Sequence, residues 1–185
     1  DKVQWETGTL ADGITPEDLY DVSCQDILNT SVLEQGEFTA LFIQRPKTFQ
    51  EKMDLLSATH NTYRAEGSCD SFVSFQEFSK NPQFLSCPIY TRDDVFDMLR
   101  QIYKDADKAF FDAEDVRKGR GHDGTCAFSA EVPSELKKIS QHISYLFPRA
   151  FGQWYMLQYM RLAKYLKLDR RTYCKVVWGS GCASS

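Results

Sequence analysis

The sequence predicts a mainly α chain, a single-domain antiparallel helical bundle of five or six helices. Disulfide-tethered loops join them, with at most a short C-terminal strand or hairpin. Three observations predict it. Apolar residues recur at alternating three- and four-residue steps over most of the chain, the period of one helix face. Helix-start chemistry stands ahead of several of these runs. Six cysteines form an even, widely spaced set without any Cys-x-x-Cys pair, which suits loop-stapling disulfides better than a redox pair or a zinc ribbon. Residues 1–185 read as one helical domain, with 1–14 a flexible N-terminal arm.

The elements follow in order. Thr15-Pro16-Glu17-Asp18 supplies an N-cap, a proline at the first helical position and acids at the positive end of the helix dipole. The helix it opens runs through Leu19, Val22 and Ile27 and carries Cys24. Glu37 to Gln44, "EFTALFIQ", is short enough for a helix or a buried strand, and Pro46 ends it. Thr48-Phe49-Gln50-Glu51 is a capping box, followed by Phe49, Met53, Leu56, His60 and Tyr63 on one stripe, with Gly67 as the stop. Phe72, Phe75 and Phe78 mark a short aromatic helix ahead of Asn81-Pro82.

Thr91-Arg92-Asp93-Asp94 opens the strongest pattern. Val95, Leu99, Ile102, Ala106, Ala109, Ala113 and Val116 predict one continuous helix of roughly 40 Å at 1.5 Å per residue. Arg117 to Thr125, "RKGRGHDGT", reads as a basic, glycine-rich, mobile loop. Pro133-Ser134-Glu135 starts a helix with Leu136, Ile139, Ile143 and Leu146 on one face, which Pro148 breaks or kinks. Phe151 to Leu168 is helical again, and "CKVVWGSGC" has the composition of a short strand.

Charge is segregated. Residues up to Glu135 carry 13 Lys+Arg against 25 Asp+Glu, whereas those from Leu136 onwards carry 9 Lys+Arg against the single Asp169. An acidic body with a basic C-terminal third fits internal neutralisation or a polar partner surface. Arg161, Lys164, Lys167, Arg170 and Arg171 are the partner-binding candidates, facing a protein or an acidic glycan. A pI of 5.4 argues against a dedicated nucleic-acid protein.

Cys24, Cys69, Cys87, Cys126, Cys174 and Cys182 are read as three disulfides whose pairing the sequence leaves open, with only Cys174–Cys182 suggested by nearness. Asn29-Thr30-Ser31 is a glycosylation sequon. No apolar run has membrane-spanning length. No Met begins the chain and no signal peptide precedes Asp1, which reads as a mature or excised form. The small-residue end "GSGCASS" reads as the attachment point of a membrane tether or a further domain.

The chemistry-bearing residues are few. His60 lies on a helical stripe and reads as packing material. His122-Asp123 sits in the glycine-rich loop beside Arg117, Lys118 and Arg120, where acid–base or anion-binding chemistry competes with a plain solvated connector. His142 lies beside an apolar stripe. Asp105, Asp107, Asp112, Glu114 and Asp115 lack the glycine and final glutamate of a calcium loop, and no Glu-x-x-His occurs, so no metal and no cofactor are expected. His60-Asn61-Thr62-Tyr63-Arg64 resembles the start of the CAP superfamily motif, as Val176 to Cys182 resembles another of its segments. Ser57 to Tyr63 equally resembles a box of phosphoinositide phospholipases. Two incompatible families thus share one pentapeptide, and no residue role is carried over from either.

These readings predict a non-enzymatic extracellular or cell-surface helical module, a secreted glycoprotein that binds a macromolecular partner of protein or acidic glycan type. The alternative is a small secreted hydrolase or lipid-binding protein using His60 or His122.

Overall fold

The computed structural model describes residues 19, 21–65, 71–122, 126 and 128–178. In chain order the first elements are α1 (Cys24–Leu28), α2 (Gln35–Gln44), α3 (Phe49–Thr59), β1 (Thr62–Arg64), β2 (Phe72–Val73), α4 (Phe75–Phe78) and α5 (Pro82–Ser86). They continue with α6 (Arg92–Tyr103), α7 (Ala106–Arg117), α8 (Ser134–Gln141), β3 (Ile143–Tyr145), α9 (Arg149–Leu168) and α10 (Arg170–Trp178). The chain divides into two compact units, one formed by Asp1–Lys52 with Gln153–Ser185 and the other by Met53–Gly152.

In the first unit, a capping box starts α1. Ser23 Oγ accepts the Asp26 backbone N–H at 3.2 Å while the Asp26 carboxylate accepts that of Ser23 at 2.8 Å. Helix α2 begins where the Glu37 carboxylate accepts the Glu34 N–H at 2.8 Å and ends at Arg45, whose φ of 46° is left-handed. Its inner face buries Glu37, Ala40 and Leu41. The core holds Ile27, Leu41, Met156, Met160 and Ala163. Polar groups inside it are paired, as burial demands. Tyr159 donates its hydroxyl to both Glu37 carboxylate oxygens at 3.1 Å, and Tyr173 donates to the Thr30 carbonyl. Lys52 is buried, its ammonium donates to the Val22 carbonyl at 2.9 Å, and burial pushes its pKa down.

The second unit centres on a three-stranded antiparallel sheet in the order β2-β1-β3, with Tyr63 paired to Val73 on one side and Ile143 on the other. Tyr63 is fully buried and stacks on Phe78 with ring centroids 4.0 Å apart; Phe75, Phe84 and Tyr90 complete the aromatic cluster. Asn61 ties this sheet down. Its Nδ2 donates to Tyr63 Oη at 2.7 Å and to the Tyr90 carbonyl at 2.8 Å, and its Oδ1 accepts the Phe147 N–H at 2.6 Å. Helices α6 and α7 pack on one another as a hairpin and bury Val95, Leu99, Ala109, Ala113 and Val116.

Several sequence expectations are corrected here. The disulfide-tethered bundle is replaced by shorter helices, a small sheet and free thiols. Cys24, Cys87 and Cys174 are free thiols, and no disulfide occurs among the described residues, outside which Cys69 and Cys182 lie. A core of this size closes without cross-links. The continuous helix over Val95 to Val116 is two helices: Lys104 adopts a left-handed φ of 55°, and Asp105 Oδ1 accepts the Lys108 N–H at 3.1 Å to start the second. The stripe of Phe49 to Tyr63 ends at Thr59, and Thr62–Arg64 turns into β1. Ile143 belongs to β3 rather than to a helix, and Pro148 opens α9 instead of kinking it, its carbonyl accepting the N–H groups of Phe151 and Gly152. Residues expected as a C-terminal strand form α10 as far as Trp178. The N-terminal arm 1–14, Thr15-Pro16, Gly67 and the tail beyond Trp178 lie outside the described residues.

Candidate nucleic-acid interface

Two groups of cations were singled out from the sequence, and the structure treats them differently. In the first unit, α9 displays Arg161, Lys164 and Lys167 at three-residue steps beside its buried face of Met156, Met160 and Ala163. Arg161 donates to Gln158 Oε1 at 3.3 Å, Lys164 is half-buried, and Lys167 pairs with Asp26 at 2.7 Å. That ammonium and the Ser23 capping box hold the Asp26 carboxyl below its usual range against the opposing effect of burial. Arg170 and Arg171 follow on α10, both exposed.

The second group, around the glycine-rich loop, is engaged by carboxylates. Arg117 forms a two-pronged pair with Glu114, Nε to Oε1 at 2.9 Å and Nη2 to Oε2 at 3.0 Å, and its guanidinium lies 5.7 Å from the Tyr145 ring centroid. Arg92 reaches the same carboxylate at 3.1 Å, Lys118 at 3.6 Å, and Arg120 pairs with Asp115 at 2.6 Å. Burial opposes ionisation of Glu114, yet the hydrogen bonds from Arg117 and Arg92 outweigh it and hold its carboxyl down at about 2.

The described part of that loop is fastened down. A Cβ on Gly119, whose φ is 78°, would meet the Ser144 carbonyl at 2.8 Å, and one on Gly121 would meet that of Ser140 at 2.7 Å. His122 Nδ1 lies 3.1 Å from the Gln141 carbonyl. Asp123 is outside the described residues.

His60 leaves its expected helical stripe for the turn beyond α3, where its ring stacks on Phe147 at 4.8 Å. His142 caps the C-terminus of α8. Among the described residues no group of His, Cys, Asp and Glu is placed to hold a metal ion, and no helix is long and apolar enough to cross a membrane. Asn29 is exposed, but the Thr30 of its sequon is buried and donates its hydroxyl to the Ile27 carbonyl at 2.7 Å.

The sequence reading missed the outer face of α2. Phe38, Phe42 and Ile43 are exposed there, and Arg45 closes the helix with its guanidinium 5.6 Å from the Phe42 ring centroid. The i,i+4 spacing of the two phenylalanines was the available signal, obscured because the run also fits a buried strand.

The comparisons point in one direction. The chain is 28% identical over 172 residues to a DNA polymerase III PolC-type of Oceanobacillus iheyensis, an alignment covering 85% of this chain and 11% of that protein. It is 27% identical over 168 residues to the PolC-type polymerase of Staphylococcus aureus, and 27% identical over 128 residues to that of Thermotoga petrophila. The chain thus spans about a tenth of the length of these relatives. No family model matches it.

These relatives overturn the extracellular reading. A secreted surface module, its disulfides and glycan, and the secreted hydrolase or lipid-binding alternative all drew on an even cysteine count and a sequon, both of which arise without a secretory route. Similarity over most of the chain to DNA polymerases points away from secretion. It also reverses the exclusion of nucleic acid, which leaned on the overall pI although the positive charge is gathered in one third of the sequence.

Proposed function

We propose that this chain is a segment of a DNA-replication protein of the DNA polymerase III PolC type, and that it contacts nucleic acid through the basic surface of α9 and α10. The similarity to PolC-type polymerases over as much as 86% of the chain carries the reading. The cation placement supports it. Lys164, Arg170 and Arg171 form no ion pair with a carboxylate among the described salt bridges, whereas Lys167 is held by Asp26 and the loop arginines by Glu114 and Asp115. Cations without carboxylate partners release counterions from a phosphate backbone without first breaking an internal pair.

Fluorescence anisotropy with a labelled primer–template duplex tests this. The quadruple variant Arg161→Glu, Lys164→Glu, Arg170→Glu, Arg171→Glu is expected to bind at least tenfold more weakly at low salt. Equal binding by this variant, or a native chain indifferent to DNA, would overturn the proposal.

A further inference from the structure

We propose that the outer face of α2 and the cavity beside it form a subsite for single-stranded nucleic acid, with bases stacking on Phe38 and Phe42 and phosphates meeting Arg45 and Lys47. The inference rests on the nucleic-acid reading above and adds a second, separate contact surface.

Three observations on the first unit carry it. Phe38 and Phe42 are 43% and 48% exposed, yet their rings are already parallel, with centroids 5.9 Å apart and an 8° interplanar angle. An i,i+4 aromatic pair steadies its helix only by a few tenths of a kcal/mol, and nucleobases are ligands whose flat faces match such exposed rings. Arg45 joins this platform to a cavity. Its guanidinium lies 5.6 Å from the Phe42 centroid, and the same residue lines a cavity of about 460 Å³ together with Ser23, Cys24, Gln25 and Lys47.

The charge in the cavity is positive. Arg45 and Lys47 enter none of the described ion pairs. Glu51, the carboxylate facing the segment, accepts the N–H groups of Lys47 and Thr48 at 2.7 and 3.1 Å, and Asp26 pairs with Lys167. The Lys52 ammonium and Arg45 both act electrostatically on the Cys24 thiol in the cavity wall. Stacking rings beside cations outside the described ion pairs are what a single strand requires and what a duplex, its base faces covered, cannot use.

The test uses the chain as it stands and a fluorescein-labelled oligothymidylate of about twelve nucleotides, within the span one such site covers. Phe38→Ser/Phe42→Ser and Arg45→Glu/Lys47→Glu are each expected to weaken its binding roughly tenfold or more. The charge variant is also expected to reduce the salt slope by about 1.4, for two lost phosphate contacts on a single strand. The single variants Phe38→Ser and Lys47→Glu give the same sign with less risk to the fold, which circular dichroism monitors. Inorganic polyphosphate is the control ligand: its binding should respond to the charge variant and not to the phenylalanine variant. Oligothymidylate binding unchanged by both variants overturns the subsite. So does a phenylalanine variant without effect, which reduces it to a general polyanion patch. If primer–template binding still depends on the α9–α10 cations in those cases, the proposed function survives; a chain that binds neither DNA overturns both.

Discussion

Glu114 receives two arginines at once, and that geometry makes its ionisation a source of pH-dependent stability. Its folded-state value of about 2 lies below the ordinary 4.5, so the stabilisation is complete above that ordinary value and disappears as pH falls through the folded one. Allowing for solvent screening, Glu114→Gln is expected to cost about 1 to 2 kcal/mol at neutral pH and only a small fraction of that near pH 2. Urea melts at pH 7 and at about pH 2 check the sign. Gly152 is a second sensitive point. An added Cβ would strike Ser57 Oγ, which is fixed by donating to the Met53 carbonyl at 2.8 Å. Gly152→Ala should therefore destabilise by about 1 to 3 kcal/mol despite the gain in helix propensity, and Ser57→Ala should restore part of the loss. At this scale the core was legible: Met53, Leu56, Leu99, Leu136 and Ile139 are fully or almost fully buried as their spacing implies. The position of His60 was not, because a stripe of side chains carries no mark of where its helix stops.

Between α6 and α7 the chain reverses over Lys104 and Asp105. A left-handed lysine is strained where glycine is not, so Lys104→Gly should raise stability by about 1 kcal/mol, whereas Asp105→Ala removes the cap and should lower it by a similar amount. Thermal melts of the two variants, moving in opposite directions, check the hairpin directly. The break was hard to read because alanines continue the three-and-four rhythm across it. Val95 and Leu99 before the turn and Ala109, Ala113 and Val116 after it are all fully buried. In the sequence, the Asp105–Lys108 cap was the one signal of two packed helices rather than one. The strands escaped for a different reason. Segments of two and three residues, Phe72–Val73, Thr62–Arg64 and Ile143–Tyr145, are too short to show alternation. Tyr63 and Ile143 then read as members of neighbouring helical stripes.

Across the whole molecule, charge carries the functional argument. The sum of −4 conceals a C-terminal third with 9 cations against one acid. Plotted against salt, the logarithm of duplex affinity should fall linearly, and neutralising Arg161, Lys164, Arg170 and Arg171 should flatten that line by about 3 to 4, for four B-DNA phosphates. The segregation was visible in the sequence, but its partner was not, since phosphate and carboxylate polymers attract the same lysines. The cysteine count misled for a related reason: six is even, yet pairing is a matter of distance, and Cys24 donates instead to the Leu41 carbonyl at 3.5 Å.

Asn61 bears on how the protein ages. One carboxamide clasps the sheet, the Tyr90 carbonyl and the Phe147 amide, which are remote along the chain. Hydrolytic deamidation would replace its two N–H donors with an anionic oxygen facing a carbonyl. The resulting carboxylate would still accept the Phe147 N–H and could accept a hydrogen bond from the Tyr63 hydroxyl, but it would repel the Tyr90 carbonyl, so this one change is expected to unfasten the Tyr90 segment from the sheet.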